Sequence, residues 1–93
     1  MTEAEVREEG RRIVADMRKK IDEEDRAIVA AVVRRRAMVK EAHAVKWSRG
    51  LPVDDPGREA EIVSGYARAG AEAGAPPDAL AALAVEVLRA CRR

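Results

Sequence analysis

From Thr2 to Lys46 the sequence contains no proline and only one glycine, Gly10. The stretch is built mainly from Ala, Arg, Glu, Lys, Val and Ile, largely helix-compatible residues. Ile21, Ile28, Val32 and Val39 recur at spacings of seven, four and seven, which draws an apolar stripe along one helix. A helix of about 35 residues, rising about 1.5 Å per residue, is roughly 50 Å long. That exceeds the width of a compact domain of this length, whose radius of gyration is about 13 Å. Such a helix lies against another chain or projects into solvent, and the apolar stripe argues for another chain.

The remainder is punctuated. Ser48-Arg49-Gly50-Leu51-Pro52-Val53-Asp54 reads as a loop by its Gly and Pro. Asp55-Pro56 then reads as a helix start, with Asp55 capping free backbone N–H groups and Pro56 at the first helical position. The second helix is expected to carry Ile62, Val63, Tyr66 and Ala69 on its inner face and to stop around Gly70 to Gly74. Ala75-Pro76-Pro77-Asp78 opens a third, with Leu80, Leu83, Ala84, Val87, Leu88 and Cys91 at three- and four-residue spacings. The expectation is a single all-α domain over residues 1–93, one long N-terminal helix followed by two shorter ones, with residues 1–12 charged enough to fray. No internal repeat is visible.

Composition narrows the function classes. With no Phe, one Trp and one Tyr, the 47% apolar content is dominated by Ala and Val, so the core has little bulk. Short chains with thin cores are commonly completed by oligomerisation. Eighteen basic and seventeen acidic residues leave a net charge of +1, so no global field draws the chain to nucleic acid or an anionic membrane. No apolar run approaches the roughly 20 residues of a membrane span. The N-terminus Met1-Thr2-Glu3-Ala4-Glu5 is acidic, with no apolar stretch behind it, unlike a secretory signal. A lone cysteine, Cys91, suits a reducing compartment, and a cytoplasmic location is expected.

Sharp catalytic motifs are absent: there is no Walker loop, GxGxxG, HExxH or CxxC. One His and one Cys cannot form a structural zinc site unaided. His43, next to Lys40 and Glu41, reads as a solvated helix residue, and Cys91 as a small core residue. What remains is cationic: Arg18, Arg35, Lys46 and Arg58, with Asp55 and Glu59 beside the last. At about 100° per residue, the eleven residues from Arg35 to Lys46 close to within about 20°, with Val39 and Ala42 on the same face. Arg35 and Lys46 can therefore converge on one ligand. Arg18 lies about 100° round the helix and about 25 Å away by helix rise, so it could join only the site of a second molecule packed antiparallel. A plain solvated run at Arg34-Arg35-Arg36 is the competing reading.

The ordered set of motifs resembles the all-α (AroQ-type) chorismate mutases. Met17-Arg18-Lys19-Lys20-Ile21-Asp22-Glu23-Glu24-Asp25 is similar to that family's Leu-Arg-x-x-Ile-Asp-x-x-Asp opening. The family continues with an Arg-Arg pair and a lysine eleven residues past the catalytic Arg, matched by Arg35-Arg36 and Lys46. Its loop and second helix are matched by Gly50-Leu51-Pro52-Val53-Asp54-Asp55-Pro56-Gly57-Arg58-Glu59, and the end of its third helix by Leu83-Ala84, Val87-Leu88 and Cys91. The resemblance covers Met17 to Cys91 without a gap. No single motif is specific, but the ordered set is.

The resemblance implies a domain-swapped homodimer in which each site takes Arg18 from the partner's first helix, and Arg35, Lys46, Asp55, Arg58 and Glu59 from one chain. It implies a small dianionic substrate, chorismate or a close analogue, and a unimolecular [3,3] shift to prephenate that needs no cofactor, metal or nucleophile. Two guanidiniums suit two carboxylates. Lys46 would donate to the ether oxygen as the C–O bond breaks, Glu59 and the backbone near Asp55 would hold the ring hydroxyl, and Arg58 would brace the site. The family commonly places a Gln or Glu near the end of the third helix as a second donor to that oxygen. In gapless register this position falls just beyond Arg93, which leaves three readings: Arg92 or Arg93 substitutes, catalysis is weak, or an activating partner enzyme completes the site. Other readings of the same fold are a 4-amino-4-deoxychorismate mutase, for which Asp54 would be a suitable extra acid, an isochorismate pyruvate lyase, or a non-catalytic dimer that binds a partner protein.

Overall fold

The structure, a computed structural model, describes residues 1–92. It consists of α1 (Glu3–Ser48), α2 (Pro56–Glu72) and α3 (Pro77–Arg92), with no strand among the described residues. The chain divides into two compact units, Met1–Ala31 and Val32 onward.

The first unit is the N-terminal part of α1. The Thr2 hydroxyl accepts the Glu5 amide at 3.2 Å and donates to the Glu5 carboxylate at 3.0 Å, a variant of the capping box. Glu3 and Glu5 also oppose the helix dipole. The helix is thus regular from Glu3, within the charged segment where the sequence suggests fraying. Its apolar residues Ile13, Val14, Met17, Ile21, Ile28 and Val29 are all exposed, and α1 as a whole contains no buried residue.

The second unit holds the end of α1 and both shorter helices. Two helices end in the same way. In α1 the Leu51 amide donates to the Lys46 carbonyl at 2.8 Å and the Gly50 amide to the Trp47 carbonyl at 3.3 Å, with Gly50 at φ 65. In α2 the Ala75 amide donates to the Gly70 carbonyl at 2.8 Å and the Gly74 amide to the Ala71 carbonyl at 3.2 Å, with Gly74 at φ 82. Both are Schellman motifs, which require a left-handed residue that glycine supplies. The start of α2 is as the sequence suggests: Asp55 Oδ1 accepts the Arg58 amide at 2.9 Å, and Pro56 opens the helix.

Packing of α2 on α3 makes the core. Ala84, Val87 and Cys91 are its buried apolar side chains among the described residues, together with Gly70 of α2. Ile62, Val63, Tyr66, Leu80 and Leu88 are half-buried around them. Two sequence expectations need correction. Ala69 is exposed and Gly70 occupies the inner position, because Leu80 leaves no room there for a side chain. Leu83 is 47% exposed, although it fits the spacing of the α3 stripe. The core is as thin as the composition implies.

Candidate active site

A cavity of about 380 Å³ opens between the C-terminal part of α1, the α1–α2 loop, α2 and the end of α3. This size suits a small organic ligand. All its lining residues belong to the second unit. Arg35 and Lys46 of α1 both line it, on the shared face that helical geometry gives them, with Val39 and Ala42 between. Asp55 stands at the loop's end, and Arg58 and Glu59 in the first turn of α2 complete the same wall. Five of the six site residues expected from the sequence therefore surround one space. The sixth, Arg18, lies in the first unit and is not among the lining residues.

The ionic arrangement is uneven. Asp55 is engaged by its cap to the Arg58 amide. The Arg58 guanidinium turns to Glu61 at 3.3 Å, and both side chains are well exposed, so the pair contributes little stability. Glu59 Oε1 is met by Arg92 Nη2 at 2.5 Å. By contrast, Nη1 of Arg35 is buried with no hydrogen-bond partner. A buried donor left in that state costs about 1–3 kcal/mol, more when charged. The Lys46 ammonium likewise has no ion-pair or hydrogen-bond partner among the described residues. The site thus holds two cations without a carboxylate partner on one helix face, an arrangement that favours an anion with carboxylate oxygens.

Three lining residues were missed or misjudged by sequence reasoning. His43 is half-buried in the cavity wall and not simply solvated. It stands three residues before Lys46, about 60° from it round the helix, and that angle was the signal for it. Cys91 is buried as expected, yet it also lines the cavity. Arg92 reaches in from the last turn of α3, one of the two arginines considered for the third-helix donor. The other, Arg93, lies outside the described residues.

This geometry can be set beside known proteins. The profile of the family described as chorismate mutase type II matches residues 17–93. The chain belongs to the chorismate mutase type II family. A protein of Methanocaldococcus jannaschii named chorismate mutase is 39% identical over 49 residues, 53% of this chain and 50% of that protein. The match therefore spans about half the length of that relative. No solved structure matches the chain. The three-helix, strand-free architecture of the described residues agrees with the all-α fold expected of a chorismate mutase type II member. Among these residues no helix is long and apolar enough to cross a membrane.

Proposed function

We propose that the protein is a chorismate mutase that converts chorismate to prephenate in sites shared between two intertwined chains. The observation that carries this reading is the buried, unpartnered Nη1 of Arg35 in a cavity that Lys46 also faces. Chorismate is a dianion, and a carboxylate offers that nitrogen the acceptor it lacks.

The mechanism follows from charge and shape. Arg35 holds one substrate carboxylate, and Arg18 of the partner subunit holds the other. Together they select the folded, chair-like conformer, so that orientation is settled before reaction. As the C–O bond breaks, negative charge grows on the ether oxygen. Lys46 donates to that oxygen, a contact stronger in the transition state than in the ground state and therefore catalytic. Glu59 accepts the ring hydroxyl. Arg58, whose backbone amide is fixed by the Asp55 cap, adds a guanidinium to the cavity wall.

The dimer rests on α1, most of whose large apolar side chains, Ile13, Met17, Ile21 and Ile28 among them, are exposed in one chain. Pairing α1 helices would bury them and would bring in Arg18. Loss of the enolpyruvyl absorbance on incubating pure protein with chorismate, with prephenate as product, tests the activity. A folded dimer that leaves chorismate untouched and ignores a bicyclic transition-state analogue refutes it.

A further inference from the structure

Glu59 and Arg92 are 33 positions apart and meet across the cavity, one from the first turn of α2 and the other from the last turn of α3. Among the described residues no other ion pair joins those two helices. The two side chains are only half-exposed, 44% for Glu59 and 53% for Arg92, and both line the cavity. The contact is thus made inside the ligand space.

An isolated carboxylate in a cavity wall attracts a cationic ligand group more strongly than a neutral one. A carboxylate already facing a guanidinium behaves differently. Its charge is locally balanced, yet it keeps unused lone pairs that can accept an O–H. A protonated amine brought to the same oxygens would stand beside the guanidinium as a like charge, which is unfavourable. We propose that Arg92 is the specificity-determining residue of this site: by pairing with Glu59, it makes the cavity select a substrate whose ring bears a neutral hydroxyl over one that bears a protonated amine. Arg92 acts through Glu59 and is a positioning residue. This inference rests on the chorismate mutase reading and on Glu59 taking the ring substituent. Asp54 is the competing acid, since it lines the same cavity and has no partner among the described residues.

The test compares kcat/KM for chorismate and for 4-amino-4-deoxychorismate in the unmodified chain and its variants. A charge-assisted hydrogen bond is at stake, so Arg92→Gln should lower the hydroxyl-to-amine preference by at least about tenfold, chiefly through the KM of the amine. Arg92→Lys, which retains the charge, should keep most of the preference. Asp54→Asn should leave it within about twofold, since no pairing is lost. A preference unmoved in Arg92→Gln, or one moved by Asp54→Asn instead, overturns the proposal while chorismate turnover still stands. An unmodified chain that turns over neither compound overturns the functional reading, and this inference with it.

Discussion

Gly70 and Leu80 set how closely α2 approaches α3: a Cβ on Gly70 would lie 2.6 Å from the Leu80 Cγ. The obstacle is the branch point of a half-buried leucine, which cannot swing aside as the tip of a long side chain could. Gly70→Ala should therefore destabilise the fold by about 1–3 kcal/mol, the range for overpacking. Gly65, in the same helix, has nothing within 4 Å of its Cβ position. Gly65→Ala should instead stabilise by about 0.5–1 kcal/mol through helix propensity. Urea denaturation at one protein concentration compares the two, and equal shifts would show that the Gly70–Leu80 contact is not what matters.

The dimer is the next prediction. Apolar residues along α1 remain exposed, and the core of the second unit is thin. The smallest stable unit should be a dimer. Light scattering that shows a folded 10.2 kDa species at micromolar concentration would rule it out.

Lys46→Ala should cut kcat/KM by at least about 100-fold, since a preorganised donor at the breaking bond is lost. Its backbone carbonyl anchors the end of α1 through Leu51, a role that the substitution preserves. The circular dichroism spectrum and the oligomeric state should not change. Activity within tenfold of the parent, with the fold intact, would mean that another group serves the ether oxygen.

Arg18 and Arg35 should complement each other between chains. Arg18→Ala and Arg35→Ala should each be nearly inactive, because each leaves a substrate carboxylate without its charge-assisted pair. Unfolding, mixing and refolding the two variants gives about half mixed dimers by statistical exchange, each with one intact and one doubly damaged site under isologous pairing. About a quarter of all sites should regain activity. If a parental control recovers while the mixture does not, the composite site is wrong.

Much of this fold can be read along the chain, because its helices are separated by residues with strong backbone preferences. Asp55-Pro56 and Pro77 mark the starts of α2 and α3, and Gly50 and Gly74 mark where α1 and α2 end. The convergence of Arg35 and Lys46 is equally legible, since one helix fixes their relative angle. What depends on the approach of two helices is not. Gly70 leaves no mark in an apolar pattern, because its contribution is a missing side chain. Leu83 fits the stripe but faces outward, since α2 covers only part of α3. The Glu59–Arg92 pair joins residues 33 apart, and no local periodicity encodes it. His43 reads as solvated because Lys40 and Glu41 lie just before it, although Val39 and Lys46, its neighbours one helical turn away, line a cavity.

The two Schellman turns carry a consequence for chemical synthesis of this chain. No atom lies within 4 Å of a Cβ built on Gly50 or Gly74, so neither turn excludes bulk. At φ 65 and φ 82 what they exclude is an L-configured centre, strained there at roughly 1–2 kcal/mol per residue. The requirement at both positions is one of handedness and not of size. A D-alanine would find there the dihedral range that its mirror-image configuration favours, and would restrict the unfolded chain more than glycine does.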